Sequence, residues 1–334
     1  MKVRIMTIVY SSSYDLHNME FHVENKKRTD AIMETLRILD LKIVEPKSAS
    51  PDDILRVHSQ SHLDYVKGFA ERGGGYLDYD TYMTSESYNV ALLAAGGAIM
   101  ASKVVLEDGG WAYSVARPPG HHATRDRAMG FCIFNNMAIA IENLRKRGSD
   151  HFLIVDFDVH YGNGTADIFY DDPNVMYISI HQDPKTLYPG TGFIDEMGAG
   201  EGMGYTMNIP MPPGSNSQDY IWILSRILEP VKDEFKPSMV FLEAGFDAHK
   251  DDPLANIKVD EEFYTWIGSY FKNERVVAVL EGGYNLEALA NSNLKFVKSL
   301  MGLESPIEDE VKASNPVKDV FARIKDKFSE YFRI

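Results

Sequence analysis

A chain of 334 residues, 44% of them hydrophobic, has material for one large α/β core or two ordinary ones. Its formal charge of −15 argues against non-specific binding to a nucleic-acid backbone and would favour cationic ligands by long-range steering. The single cysteine, Cys132, excludes an internal disulfide framework and a cysteine-rich metal site, and it fits a reducing, cytoplasmic setting.

Lys2 and Arg4 precede only six uncharged residues, Ile5 to Tyr10, which read as a first strand rather than as a secretory signal. Ile32, Leu36 and Leu39 recur at helical spacing within Lys26 to Leu41, with Arg28 at the start of that helix. Ser50-Pro51-Asp52-Asp53 is a helix-start signal, Ser61 is a candidate cap for the helix carrying Tyr65, Val66 and Phe69, and Gly73-Gly74-Gly75 ends it. A polar, aromatic loop from Tyr76 to Ser87 follows. The longest apolar stretch, Val90 to Ala101, is shorter than the roughly 18–20 residues of a membrane span and reads as a buried helix. Beyond the strand Ala112–Ala116, strands are expected at 152–157, 175–180, 205–209, 239–242 and 276–280. Helices are expected at 136–147, 165–170, 218–235, 260–270 and 286–300. This alternation implies an α/β fold with a mostly parallel sheet flanked by helices.

Polar clusters stand where several of these strands end, the edge at which open α/β sheets bind ligands. His151 to Thr165 reads HFLIVDFDVHYGNGT: a buried strand, then Asp156, Asp158 and His160 at period two, so that an extended backbone would project all three to one side. Asn163 is placed to cap the next helix. Ala112–Ala116 runs into Arg117-Pro118-Pro119-Gly120-His121-His122, which presents two histidines from a stiff loop. The later strands run into Asp247 and into Glu281-Gly282-Gly283-Tyr284, whose paired glycines allow a ligand to approach the backbone closely. Two carboxylates and one imidazole, from Asp158, His160 and Asp247, would hold zinc with an open position for water and substrate. His121 and His122 are then available as acid and base, with Asp156 and Asn163 as the nearest polar partners in the motif, and Tyr284 as a donor to a developing oxyanion.

These motifs, RPPGHHA at 117–123, GFCIFNN at 130–136, DFDVHYGNGT at 156–165, YPGTG at 188–192, GFDAHKDDPL at 245–254 and EGGYN at 281–285, resemble those of the histone deacetylase-type hydrolases. That superfamily of lysine deacetylases, acetylpolyamine amidohydrolases and acetoin-utilisation proteins has an arginase-like fold. The resemblance runs from about Lys2 to Leu303. It implies a catalytic domain over 1–303, with zinc, or alternatively ferrous iron, on Asp158, His160 and Asp247. It also implies a histidine pair at His121 and His122, with Asp156 pairing the first, and a transition-state tyrosine at Tyr284. A structural potassium ion would lie by Asp156, Asp158, His160 and Ser179. Gly130 and Phe131 match one wall of the acyl tunnel and Tyr188 the other, Asp80 the rim carboxylate, Leu254 the entrance, and Arg28 the internal channel.

Three departures stand out. The partner of the second histidine is Asn163, as in the class II and bacterial branches, where the enzymes closest to the nuclear deacetylases have aspartate; the second wall is Tyr188 rather than phenylalanine; and the segment before Arg28 reads VENKKR without the usual proline. Beyond the match, Val317, Val320, Phe321, Ile324, Phe328 and Phe332 recur at helical spacing, so residues 304–334 read as an amphipathic helical extension docking on the body or on another subunit. The expected reaction is removal of acetyl from an acetylated amine. Leu254 favours acetyl-lysine of proteins over the alternative substrate, acetylpolyamine. A non-catalytic acetyl-lysine binding protein is the rival from another class, and Tyr284 argues against it. No nucleic-acid or membrane partner is expected, and a homo-oligomer is left open.

Overall fold

The apolar run after His151 forms a strand, and all five of its residues, Phe152–Asp156, are buried. A strand with no exposed face belongs in a sheet covered on both sides. In this computed structural model, which describes residues 6–306 and 311–334, the same holds for five further strands. In chain order the strands are β1 (Met6–Val9), β2 (Lys42–Val44), β3 (Gly74–Tyr76), β4 (Tyr82–Thr84), β5 (Trp111–Ser114), β6 (Phe152–Asp156), β7 (Val175–Gln182), β8 (Thr206–Met211), β9 (Met239–Ala244) and β10 (Val276–Leu280). The helices are α1 (Lys27–Leu36), α2 (Pro51–Ile54), α3 (Gln60–Glu71), α4 (Ser87–Asp108), α5 (Asn136–Arg145), α6 (Asn163–Ile168), α7 (Ser217–Phe235), α8 (Glu261–Phe271), α9 (Leu286–Leu300) and α10 (Asn315–Phe328).

These elements form two compact units. The first comprises the chain up to Asp150 with Gly162–Ile168 and Arg275–Glu281; the second comprises His151–Tyr161, Phe169–Glu274 and the chain from Gly282 onward. In the first unit β2, β1, β5 and β10 pair in that order, all parallel, and β3 and β4 make an antiparallel hairpin. In the second, β9, β6, β7 and β8 pair in that order, again all parallel. The expected α/β class with parallel strands and intervening helices is what each unit displays.

Several boundaries differ from those read in the sequence. The first helix stops at Leu36 and the chain enters β2 at Lys42, a strand too short to leave a pattern. Ser50 caps α2 in a reciprocal capping box with Asp53, as expected, but α3 is capped by Ser59, whose Oγ accepts from His62 N at 3.2 Å, and not by Ser61. The Tyr76–Ser87 loop contains the second strand of the hairpin. Helix α4 is 22 residues long, and its length and apolar composition would suffice to cross a membrane. Most of that apolar stretch is buried, and α4 packs on β1, β5 and β10, so the helix serves as the apolar spine of the first unit.

Val317, Val320, Ile324 and Phe328 of α10 are buried, and the helix packs on β8 and α7 of its own unit. Phe332 meets Tyr205 edge-on at 6.3 Å, and Ser314 N donates to Asp219 Oδ1 at 2.7 Å.

Candidate active site

The second unit carries a carboxylate and imidazole cluster. Strand β6 ends at Asp156, so the extended projection expected for Asp158 and His160 does not occur. Instead each aspartate curls the chain by accepting the amide two residues on: Asp158 N donates to Asp156 Oδ1 at 3.1 Å, and His160 N to Asp158 Oδ1 at 2.9 Å. These turns bring His160 Nδ1 to 3.1 Å from Asp158 Oδ1 and 3.0 Å from Asp247 Oδ2. The other oxygens are fixed by main chain, with Gly282 N donating to Asp158 Oδ2 at 2.7 Å and Val159 N to Asp247 Oδ1 at 2.9 Å.

Asp158, His160 and Asp247 thus each present one ligand atom, all within 4.8 Å of one another. Burial and the adjacent Asp158 carboxylate push Asp247 up to about 7. Burial opposes the charged form of His160, but hydrogen bonds to Asp158 and Asp247 outweigh it and lift the imidazole to about 10. A Cβ at Gly282 would overlap both Asp247 Oδ2 and Asp158 Oδ2, so only glycine keeps the space beside these atoms clear. Two buried carboxylates, one imidazole nitrogen and cleared space suit a divalent cation with open coordination positions.

Behind this cluster, Asp156 lies opposite Ser179 on β7, and its Oδ2 accepts from Tyr177 Oη at 2.8 Å. His181 Nε2 faces the carbonyl of Gly192 at 2.9 Å and must donate to it, so Nδ1 accepts the Ser179 hydroxyl at 2.8 Å. Burial lowers His181 to about 4, which keeps it neutral. The loop bearing Tyr284 is held by Asp252, whose Oδ2 accepts from Tyr284 N at 2.6 Å and Asn285 N at 3.2 Å, while Oδ1 accepts from Leu254 N at 3.0 Å. Tyr284, Leu254 and Gly283 therefore share one carboxylate anchor or adjoin it. Tyr188 is 42% exposed, with its ring 6.5 Å from that of His160.

The first unit carries the histidine loop. His121 and His122 are 3% and 4% exposed, with ring centroids 4.1 Å apart. Asn163 Oδ1 lies 2.7 Å from His122 Nδ1; an amide oxygen only accepts, so Nδ1 carries the proton and Nε2 is left as an acceptor. Asn163 was expected as a helix cap, but it is the first residue of α6, with its side chain committed to His122. The helix finds another acceptor: Gly164 N and Thr165 N donate to the carbonyl of His121 at 2.9 and 3.0 Å. On the other side of the loop, Gly120 N and His121 N donate to Glu281 Oε2 at 2.7 and 3.1 Å.

Arg28 is fully buried, reaching Glu24 Oε1 at 3.1 Å and the carbonyl of Glu281. Arg117 meets the same carboxylate at 2.5 Å through Nε and 2.7 Å through Nη2. Burial works against the charge on Glu24, but Arg117 outweighs it and holds the carboxyl well below its usual range. The residues expected at the rim form a further cluster in this unit. Asp80 N donates to Asp78 Oδ1 at 3.1 Å, and the Asp80 carbonyl faces His22 Nε2 at 2.9 Å. Burial and the nearby Asp78 raise the Asp80 carboxyl. Phe131 holds a positive φ of 70° and donates its N–H to Thr81 Oγ1 at 3.0 Å, beside Gly130. The sequence reading passed over Glu24, His22, Asp252 and the side chain of Glu281, each of which braces a predicted site residue.

Comparison with known proteins gives one answer. Residues 22–300 match the histone deacetylase domain. The chain is 57% identical over 332 residues to a probable deacetylase of Methanothermobacter thermautotrophicus, covering 98% of this chain and 99% of that one. It is 39% identical over 313 residues to a probable deacetylase of Archaeoglobus fulgidus, covering 89% and 86%. Among solved structures, the HDA15 HD domain superposes with a TM-score of 0.93 at 30% identity, covering 98% of this chain and 95% of that one.

Proposed function

The chain belongs to the histone deacetylase domain family, whose members hydrolyse amide bonds, and from that premise we propose that it removes acetyl from Nε-acetyl-lysine of proteins, with zinc held by Asp158, His160 and Asp247. The observation that carries this reading is the convergence of His160 Nδ1 on the Asp158 and Asp247 carboxylates beside a glycine that keeps the space clear. A divalent cation held there would supply Lewis-acid polarisation of the amide carbonyl and lower the pKa of a water.

The remaining roles belong to side chains. Nε2 of His122, which carries no proton because Asn163 fixes the proton on Nδ1, takes the proton of the attacking water. His121 delivers a proton to the departing lysine nitrogen. Tyr284 donates its phenolic hydrogen to the oxygen that becomes negative, a donor that a mere acetyl-lysine reader would not need. In the sequence, two residues stand between His160 and Asn163, and two between Glu281 and Tyr284. Ser179 gives its hydrogen to His181, so its oxygen lone pairs are available to a potassium ion beside Asp156. Phe131 and Tyr188 would wall the acyl chain, Asp80 would accept a substrate backbone N–H, and Arg28 would line the channel behind.

Acetylpolyamines are the second substrate class, favoured by the −15 charge, but steering raises encounter rates without choosing between two cationic substrates. Leucine at 254, with no charge to grip an ammonium, favours the peptide. The test is kcat/KM for an acetyl-lysine peptide against N-acetylputrescine and N8-acetylspermidine in one buffer. The peptide should lead; a tenfold lead for the polyamines, about 1.4 kcal/mol of transition-state binding, would reverse the substrate assignment.

A further inference from the structure

We infer that Glu281 is a positioning residue for the histidine pair: its carboxylate fixes the backbone on which His121 and His122 are mounted. The inference rests on the reading that this pair moves protons during turnover. Pro118 and Pro119 have no N–H, so the loop preceding the histidines offers few donors by which it can be held. Two of them, from the consecutive residues Gly120 and His121, converge on one oxygen of Glu281, at 2.7 and 3.1 Å. The next amide, of His122, faces Cys132 Sγ at 3.4 Å, a weak acceptor.

Glu281 is itself fully buried and well placed for this task. It follows the last residue of β10, and Arg28 donates to its carbonyl, so the residue is fixed at its own backbone. Its carboxylate, the His121 imidazole and the Cys132 thiol approach one another within 4.8 Å. With Gly164 N and Thr165 N on the His121 carbonyl, the peptide of His121 is gripped at both its donor and its acceptor, which fixes the direction of its side chain. Glu281 touches neither substrate nor metal in this account; it acts through the histidines.

Two substitutions separate positioning from bulk stability. Glu281→Ala removes both bonds, and Glu281→Gln keeps an oxygen that can accept them. On an acetyl-lysine peptide, Glu281→Ala should lower kcat by roughly 10–100-fold, since an ångström of misplacement can cost about 10²-fold, with KM within about twofold and metal content unchanged. Glu281→Gln should recover kcat to within about threefold of wild type. A readout free of turnover accompanies this: in metal-free protein, the Gly120 and His121 amides should be protected from hydrogen exchange in wild type and Glu281→Gln, and exposed in Glu281→Ala. Wild-type kcat in Glu281→Ala, an equal loss in Glu281→Gln, or unprotected amides in wild type would overturn the inference. A wild type that cleaves no acetylated substrate while the exchange pattern holds would remove the deacetylase reading and leave the anchoring intact.

Discussion

The two units handle buried charge in opposite ways. In the first, Glu24 is enclosed by Arg28 and Arg117, and its carboxyl is held well below the usual range, so the charges answer one another. In the second, Asp158 and Asp247 crowd a single imidazole, and Asp247 is driven up to about 7 while His160 rises to about 10. A carboxylate enclosed by guanidiniums is a scaffold. A cluster with an excess of negative charge and glycine-cleared space is a place for a cation.

The largest expected effect breaks the second cluster. Asp247→Ala should abolish activity together with roughly one equivalent of bound zinc, because a three-ligand site tolerates a missing ligand poorly; full zinc retention, measured by metal analysis, would refute the ligand set. In the first unit the corresponding break acts on stability. Glu24→Gln leaves Arg28 and Arg117 buried without their carboxylate and should destabilise by about 3–5 kcal/mol in denaturant titrations. The depressed carboxyl fixes the sign of its pH dependence. The wild type's advantage should be full above the ordinary glutamate value of 4.5 and should decline as the pH falls through the lower folded value.

Smaller effects sharpen the contrast. Tyr284→Phe should leave metal and fold intact and reduce kcat by roughly 10²–10³, the scale of losing one oxyanion donor. Wild-type turnover in that variant would show that Tyr284 is not the donor to the oxyanion. Asn163→Asp should stabilise the His122 imidazolium and move the acidic limb of the pH–rate profile upward. An unmoved profile would mean that His122 is not the group whose titration limits the rate.

Much of this was legible in the sequence, because buried parallel strands are plain apolar runs and the polar motifs stand at their ends. Asp158, His160, Asp247 and the two histidines could all be named there. The way they converge could not. Asp158 and His160 meet through side-chain turns onto the backbone, and not through the alternation of an extended strand. Asn163 has the residue type and place of a helix cap, yet His122 takes its side chain, a choice that depends on a residue 41 positions earlier. The two glutamates were harder still, since Glu24 meets Arg117 across 93 positions and Glu281 meets Gly120 across 161. A buried carboxylate looks like a surface one until its partner is known.

The central claim is that Asp158, His160 and Asp247 hold the metal that makes this chain a deacetylase. It is tested most directly by stripping the purified protein with a chelator, then following acetate release from an acetyl-lysine peptide as zinc is added back. The account predicts no release from the stripped protein and recovery that saturates near one zinc per chain. Release that survives stripping, or no release at any zinc concentration, would contradict it.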